Sequence, residues 1–400
     1  MLGEKETEVR TRRRTARRVD AIPASGIRRF FDLLASMDGV ISLGVGEPDF
    51  VTPWRIRDAA IRSLEDGHTH YTSNYGLPQL RERLADHLER LYGLRYDPAT
   101  ELLITAGVSE GINLALMATV DPGDEVLCPD PAYVAYMPCT VMAGGVFVPV
   151  PTYAEDGFTL RAEELAARVT ERTKALLMGY PANPTGATLS GAALQRVAEV
   201  VERHDLLVIS DEIYDRLTYG IDHVPFASLP GMRGRTIMLG GFSKAYAMTG
   251  WRVGYLAAPQ DVLEQAMKVH QYVMMSAPTA AQYAALEALQ SAEEDVRGMV
   301  AEYDRRRRVM VSGFNAMGLT CVEPKGAFYA FPNIAVTGLS DEEFAERLLY
   351  EEKVAVVPGS VFGACGTGHV RACYATALDQ IEEALERMQR FVDRCRGAGT

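Results

Sequence analysis

The central part of the chain alternates short apolar segments with longer segments of helical spacing. Seven apolar runs, most of them continuous and rich in Leu or β-branched residues, lie between residues 101 and 259. They are ELLITAG (101–107), DEVLCP (124–129), GGVFVPVP (144–151), TKALLMGYP (173–181), HDLLVISDE (204–212), RTIMLGG (235–241) and RVGYLAAP (252–259). Such runs are typical of parallel strands buried on both faces, joined by crossover helices. The pattern predicts an α/β fold with a mostly parallel sheet.

The pattern changes near residue 291, where a long charged helix is predicted to begin. Two short segments after that helix, 319–324 and 326–333, are predicted to form a strand pair. Ser340 is followed three residues later by Glu343, which predicts a capping box at the start of a helix. The last segment carries apolar residues along one helical face: Leu378, Ile381, Leu385, Met388 and Val392. These elements predict a smaller α+β domain.

We therefore divide the chain into four parts. Residues 53–290 are expected to form a large domain, and residues 291–400 a small C-terminal domain. Residues 20–52 are expected to pack with the small domain. Residues 1–19 contain the basic cluster RTRRRTARR and are expected to be a disordered, solvated tail. The alternatives are a nucleic-acid-binding arm and a transit peptide; nearby acidic residues and the lack of an apolar signal core argue against the second.

The overall composition argues against several classes of function. The 400 residues carry a formal net charge of −12, which is unfavourable for a nucleic-acid-binding surface. The chain lacks an apolar run of the about 18 residues that a membrane-spanning helix needs. The six cysteines have no metal-binding spacing, so we expect reduced thiols in a cytoplasmic protein and no metal site.

Lys244 is unusual because the chain otherwise uses arginine for nearly all of its positive charge. Only six of the 41 Lys and Arg residues are lysines. Lys244 lies on a Gly/Ser turn directly after an apolar run. A desolvated lysine can lose its proton and form a Schiff base, whereas an arginine cannot. Ser243 just before it and Arg252 eight residues later are side chains suited to a phosphate.

Further candidates lie on turns and on one irregular segment. Val108 and Ser109 follow a predicted strand and begin a helix, where backbone N–H groups suit a phosphate. Asn183 lies between two prolines that stiffen a turn, a pattern equally compatible with a functional amide and with a structural turn. Tyr71 precedes a helix, and Gly46 lies in a Gly-rich turn that lacks the spacing of a nucleotide-binding loop.

Two charged candidates are predicted to lie in strands. Asp211 ends a buried strand, with Tyr214 three residues on, at the sheet edge where ligands bind in α/β proteins. Its carboxylate requires a cation such as a protonated ring nitrogen, or else it caps a helix. Arg371 lies among apolar residues and requires an anion, either a substrate carboxylate or a buried Asp or Glu.

Together these motifs resemble the pyridoxal-phosphate aminotransferases of the aspartate aminotransferase superfamily, class I/II, fold type I. The resemblance extends from about residue 20 to the end, with motifs in the family's order: SLGVGEPDF, YTSNYGLPQLRE, NPTG, SDEIY, SKAYAMTGWRVGY, GAFY, VAVVPGSVFG and VRACYAT. Each motif alone is common, but the ordered set is specific. The resemblance implies a seven-stranded sheet in the large domain and a homodimer with shared active sites.

The resemblance also implies the cofactor, pyridoxal 5′-phosphate, and the residues that bind it. Lys244 would hold the cofactor as an aldimine and move a proton between the substrate Cα and the cofactor C4′, and Asp211 would pair with the ring nitrogen. The other contacts would be Tyr214 and Asn183 at the ring O3′, Val108, Ser109, Ser243 and Arg252 at the phosphate, Tyr71 at the phosphate of the neighbouring subunit, and Tyr133 stacked on the ring. Lys244, Asp211 and Tyr214 would be the catalytic residues.

The implied substrates are an L-amino acid and a 2-oxo acid, expected to be 2-oxoglutarate, that react by a ping-pong mechanism. Arg371 would clamp the α-carboxylate, assisted by Asn183, Tyr133 and the Gly46 backbone. Tyr133 stands where aspartate-specific members have Trp, and Ser109 where some of them have a cation. These departures argue against aspartate specificity. The strings SGIRRF, KVHQY and YPANPTG are similar to those of relatives that act on aromatic or acetylated diamino-acid substrates, so we expect a donor with an aromatic or other large side chain. The alternatives are an aspartate, alanine or N-acetyl-diaminopimelate-type transaminase, or a β-lyase that uses the same cofactor.

Overall fold

The computed structural model of the chain describes residues 14–23 and 37–397. The α-helices are α1 Arg17–Asp20, α2 Trp54–Glu65, α3 Pro78–Tyr92, α4 Val108–Thr119, α5 Tyr136–Ala143, α6 Ala162–Ala166, α7 Gly191–Arg203, α8 Gln260–Val273, α9 Thr279–Ser291, α10 Glu293–Ala316, α11 Asp341–Glu352 and α12 Leu378–Gly397. The strands are β1 Ile41–Ser42, β2 Leu102–Thr105, β3 Glu125–Asp130, β4 Val146–Pro151, β5 Thr173–Gly179, β6 Leu207–Asp211, β7 Thr236–Gly241, β8 Gly254–Ala257, β9 Tyr329–Ala330, β10 Val354–Ala355, β11 Val357–Pro358 and β12 Val370–Cys373.

The seven predicted apolar runs each contain one strand of a single seven-stranded sheet. The strand order is β2-β8-β7-β6-β5-β3-β4. Strand β8 is antiparallel to both of its neighbours, and the other pairs are parallel. Helices α4 and α8 contribute to one apolar cluster against the sheet, and α7 contributes to another. The predicted α/β fold with a mostly parallel seven-stranded sheet is therefore confirmed.

The C-terminal part of the chain has its own apolar cluster and small sheets. Strands β11, β12 and β9 form an antiparallel sheet in that order, while β1 pairs in parallel with β10. Residues from α10, α11 and α12 meet in the cluster, including Phe314, Phe344 and Phe391. Ile41 and Leu43 from the N-terminal segment join the same cluster. The pairing of β1 with β10 is compatible with the predicted domain division, whose boundaries at 52 and 290 stay a prediction.

Two local expectations differ from the structure. Residues 319–324 do not form the predicted strand. One backbone bond, from the Asn333 N–H to the Thr320 carbonyl, joins the two predicted segments, but the Cys321 N–H donates to the Asn315 side chain instead of to a ladder. Strand β9 pairs with β12 instead. At the end of the predicted disordered tail, Arg17–Asp20 forms one turn of helix with exposed side chains. Residues 1–13 of the tail and residues 24–36 of the predicted N-terminal segment lie outside the described part of the chain.

The parallel strands bring chemistry-bearing residues to one edge of the sheet. Asp130, Gly179 and Asp211 end β3, β5 and β6, and Gly179 is directly opposite Asp211 in the register. Lys244 follows β7 by three residues at the same edge. Arg371 comes from β12 of the antiparallel sheet. Across the described residues, no helix is long and apolar enough to cross a bilayer.

Candidate active site

A cavity of about 400 Å³ opens at this edge of the sheet. Eleven of the twelve predicted site residues line it: Gly46, Val108, Ser109, Tyr133, Asn183, Asp211, Tyr214, Ser243, Lys244, Arg252 and Arg371. The twelfth, Tyr71, is not among the lining residues, and its side chain is 79% exposed. The structure thus brings together residues that are up to 325 positions apart in the sequence, while their individual roles stay predictions.

The Lys244 amine lies in a largely apolar part of the cavity. Its Nζ donates a hydrogen bond to the Gly46 carbonyl oxygen at 2.6 Å. The rings of Phe328 and Tyr214 lie 5.5 and 5.9 Å from the same nitrogen. Burial lowers the pKa of Lys244 to about 8. A fraction of this amine is therefore unprotonated near neutral pH and able to act as a nucleophile or a base.

The Asp211 carboxylate is buried and has no cation directly against it among the described residues. Its Oδ2 accepts a hydrogen bond from the Tyr136 hydroxyl at 2.9 Å, and its Oδ1 accepts one from the Ile213 backbone N–H at 3.1 Å. Burial raises the pKa of Asp211 to about 6, although the Tyr136 hydrogen bond opposes this. Ionised Asp211 is therefore well suited to a cationic group of a ligand.

The turn between β2 and α4 forms a cradle with Arg252. Gly107, with a φ of +84°, caps α4, and a side chain at this position would come within 2.8 Å of the Arg252 guanidinium. Arg252 itself has a left-handed φ of +55° and donates to the Thr249 carbonyl at 2.9 Å. The buried Ser243 lines the same cavity as Arg252 and the first residues of α4, and a helix N-terminus is a favourable site for a phosphate.

Arg371 is only 3% exposed and lines the same cavity as Lys244. Its two terminal nitrogens donate to the Asn183 side-chain oxygen at 2.9 Å and to the Gly44 carbonyl at 2.7 Å. Its Nε is buried without a hydrogen-bond partner, and no carboxylate of the described residues pairs with it. Of the two anions considered from the sequence, a protein carboxylate is therefore excluded within the described residues.

Among the lining residues that were not identified from the sequence are two tyrosines, Tyr136 and Tyr329. Tyr136 donates to Asp211, and the side chain of Tyr329 contacts the Tyr214 hydroxyl through its own hydroxyl at 2.8 Å. Gly179 leaves room for Tyr136, because a side chain at 179 would collide with its hydroxyl. The spacing of Tyr136 three residues after Tyr133 was the available signal, since the two rings lie 5.5 Å apart.

Comparison with known proteins decides the family. The profile of the family described as Aminotransferase class I and II matches residues 38–388. The chain belongs to this family. It is 52% identical to the protein YugH of Bacillus subtilis (strain 168) and 47% identical to an aspartate aminotransferase of Pyrococcus abyssi, each over 94% of this chain and 97% of the relative. The crystal structure of an aromatic aminotransferase from Pyrococcus horikoshii OT3 superposes with a TM-score of 0.88 at 46% identity, covering 92% of this chain and 99% of that one.

The family fixes the class of reaction and the fold. The protein is an aminotransferase of fold type I, and aminotransferases as a class depend on pyridoxal phosphate. Three observations test whether its residues suit that group. The buried Asp211 carboxylate requires a cation, the cradle at Gly107 and Arg252 suits a phosphate, and the amine of Lys244 is partly unprotonated near neutral pH. The residues of the cavity are therefore suited to pyridoxal phosphate.

Proposed function

We propose that this protein is a cytoplasmic, homodimeric aminotransferase that uses pyridoxal 5′-phosphate bound at Lys244. The proposal is supported chiefly by two buried groups that line the same cavity. The pKa of Lys244 is lowered, and the pKa of Asp211 is raised. Perturbed groups of opposite sign are costly to the fold and are typical of catalytic sites. The proposed partners are small molecules, an amino acid and a 2-oxo acid, and include neither nucleic acid nor membrane.

Each side chain of the cavity has a proposed task. Asp211 binds the protonated ring nitrogen, and Tyr136 keeps the carboxylate ionised and oriented. Ser243, Arg252 and the first turn of α4 bind the phosphate. Tyr214 and Asn183 donate to the ring oxygen, and Tyr133 packs on the ring face. Pyridoxal phosphate, when bound, supplies the electron sink for the reaction.

Arg371 is proposed to orient the substrate for proton transfer. Its guanidinium is already aligned by Asn183 and Gly44, and each terminal nitrogen keeps a second N–H group for a carboxylate in the cavity that Arg371 lines. A bidentate clamp of this kind fixes the direction of the Cα–H bond. Lys244 then takes the proton from Cα; in the cofactor-free chain its amine donates to the Gly46 carbonyl at 2.6 Å.

The cavity supports an uncharged donor with a large side chain. The cationic side chains among the described lining residues are Lys244, Arg252 and Arg371, all three of which have proposed tasks. A second carboxylate, as in aspartate, would depend on Ser109 or on groups outside the described part of this subunit. The relatives named above include both an aspartate and an aromatic aminotransferase, so their names do not decide between the two donors.

A half-reaction screen tests the donor class. Single amino acids are added to the enzyme loaded with pyridoxal phosphate, and the loss of the visible band of the lysine-linked cofactor is followed. We expect phenylalanine and tyrosine to remove the band faster than aspartate and alanine. A preference for aspartate would contradict the proposed donor, and release of ammonia and pyruvate without an added oxo acid would point to the β-lyase alternative. Restoration of the band by 2-oxoglutarate would support a ping-pong mechanism.

Substitution of Lys244 tests the reaction itself. We expect Lys244→Ala to lower kcat by at least about 10⁴-fold, because both the covalent link and the proton carrier are lost. Lys244→Arg keeps the positive charge and should be equally inactive, since arginine does not deprotonate. Lys268→Ala, at a surface lysine bonded to Gln265, is the matched control and should retain full activity. Substantial turnover by Lys244→Ala would refute the proposal.

A further inference from the structure

Tyr71 projects from a segment that is fastened to the body of its own subunit on both sides. The His70 carbonyl accepts a hydrogen bond from the Thr279 hydroxyl at 2.9 Å, and the Thr72 hydroxyl accepts one from the Gln282 amide at 3.0 Å. The tyrosine between these two anchors is 79% exposed. Because both anchors belong to the first turn of α9, the direction of Tyr71 is set by this helix.

Gln282 is the centre of the attachment. Its side chain is fully buried, and its amide nitrogen donates to Thr72 and to the Ala277 carbonyl at 2.8 Å. Its amide oxygen accepts from the Leu77 backbone N–H at 2.7 Å. A buried amide is unfavourable unless it is well bonded, and an apolar side chain could fill the same space. The polar side chain at this position therefore defines the backbone path from residue 72 to residue 77.

The segment is also tied to the strand that leads into the proposed phosphate site. The Tyr75 carbonyl accepts from the Ile104 N–H at 3.0 Å, two residues before the turn at Ala106. Gly76, with a φ of +97°, packs so closely that a side chain there would meet Ile104 and the Gln282 oxygen. The segment is thus a rigid support, although the residue that it presents does not line the cavity of its own subunit.

We propose that Gln282 and Thr279 are positioning residues that hold Tyr71 in the direction required to reach the cofactor phosphate of a second subunit. This inference rests on the proposed homodimer and on the expectation from the resemblance that the subunits share active sites, with Tyr71 at the phosphate of the neighbouring subunit. A long exposed side chain binds a phosphate more strongly when the backbone on either side of it is already ordered, because less conformational freedom is lost on contact.

Mixed dimers made from two differently tagged full-length chains test the inference. In the first dimer, one chain is wild type and the other carries Lys244→Ala together with Gln282→Met. In the second dimer, the two substitutions are on different chains. Each dimer retains one Lys244, so the visible band of lysine-linked pyridoxal phosphate reports on one site. The measured quantity is the dissociation constant of pyridoxal phosphate from that site.

The expected result depends on which chain supplies Tyr71. In the first dimer the reporting site receives Tyr71 from the Gln282→Met chain, and we expect its dissociation constant to rise by about tenfold. In the second dimer the site receives Tyr71 from a chain with intact Gln282, and we expect no change. Tyr71→Phe in place of Gln282→Met should reproduce this pattern. Thr279→Val, which removes one surface hydrogen bond, provides a milder second variant should Gln282→Met fail to fold.

If Gln282 only stabilised the fold, Gln282→Met would raise the dissociation constant equally in the two mixed dimers. Ala284→Gly, at a fully buried position of the same helix, is the control for loss of stability, and it should affect both mixed dimers alike. Equal effects of Gln282→Met in the two dimers, or an unchanged constant with Tyr71→Phe, would overturn the inference alone. A monomeric wild-type chain, or one without the visible band, would refute the proposed function and the inference with it.

Discussion

Among single residues, Asp211 lowers the stability of the cofactor-free chain because its buried carboxylate lacks a cationic partner in the described part of the chain. The carboxylate is 5% exposed, and its two protein hydrogen bonds compensate only part of the loss of water. Its pKa of about 6 lies above the ordinary value of 3.8. Above pH 6 the folded cofactor-free chain therefore carries a charge that the unfolded chain holds at lower free energy.

Asp211→Asn is expected to stabilise the cofactor-free protein at high pH. A carboxyl group with a raised folded pKa contributes stability below pH 3.8, and this contribution is lost as the pH rises through 6. The shift corresponds to about 3 kcal/mol in the free energy of unfolding. Urea denaturation at pH 8 should show the variant to be the more stable by up to that amount, with the difference shrinking towards pH 4. The same variant should bind pyridoxal phosphate more weakly.

The control for this prediction is an exposed carboxylate. Asp86 is 72% exposed and lies 3.9 Å from Arg83, so Asp86→Asn should change the free energy of unfolding little at either pH. If Asp211→Asn changed the free energy of unfolding by the same amount at pH 4 and pH 8, the buried charge of Asp211 would not be the cause.

The residues of the site differ in how far the sequence predicts them. Lys244 was found because lysine is rare in this chain and because a turn follows the strand, both of which are local features. The contact of Tyr136 with Asp211 joins residues 75 positions apart, and it depends on the register that sets Gly179 against Asp211. Such a contact follows from tertiary packing, and the spacing of Tyr136 from Tyr133 indicates only that their rings are neighbours, not that Tyr136 meets Asp211.

Among helices and strands, the predictions that depend on neighbouring residues are correct, and the one that depends on a distant partner is wrong. The capping box of Ser340 and Glu343 forms as predicted, because both of its hydrogen bonds lie within four residues. The predicted strand at 319–324 is wrong, because strand formation depends on a partner, and β9 finds its partner in β12, more than 40 residues away. The strands of the large sheet were predictable since their continuous apolar character reflects burial on both faces.

The turn before α4 depends on a glycine in a left-handed conformation beside Arg252. Gly107→Ala introduces a side chain at a φ of +84° and within 2.8 Å of Arg252. We expect the guanidinium to be displaced from the cradle and the dissociation constant of pyridoxal phosphate to rise by at least about tenfold, the value of one charged hydrogen bond. Titration of the cofactor-free protein with pyridoxal phosphate measures this constant.

Gly123→Ala is the matched control for the backbone contribution. Gly123 has a φ of +96°, and a side chain there would meet no atom within 4 Å. Both variants should lose stability from left-handed backbone strain, but only Gly107→Ala should lose affinity for the cofactor. Equal affinity losses would show that strain, rather than contact with Arg252, is responsible.

At the scale of the whole molecule, Asp130 links the large sheet to the C-terminal part of the chain. Its carboxylate, at the end of β3, accepts from the backbone N–H groups of Ala364 and Cys365 at 3.1 and 3.4 Å. The Phe362 carbonyl accepts from Ala132 at 2.9 Å. These bonds hold the loop whose Phe362 ring lies 4.9 Å from the Arg371 guanidinium. Arg371, which we propose to bind the substrate carboxylate, is thus packed against a loop that is held by a contact between two parts of the molecule.

Asp130→Ala should therefore impair substrate binding more than the chemical step. With the loop released, Phe362 no longer restrains Arg371, so we expect KM for both the amino acid and the 2-oxo acid to rise by on the order of tenfold, with a smaller change in kcat. Glu125→Ala is the matched control, because Glu125 is a buried carboxylate at the opposite end of β3 and binds Arg172. It should lower the free energy of unfolding and leave KM unchanged. If both variants raised KM equally, general destabilisation would account for the effect; if only Asp130→Ala did so, orientation of Arg371 by the loop would be the cause.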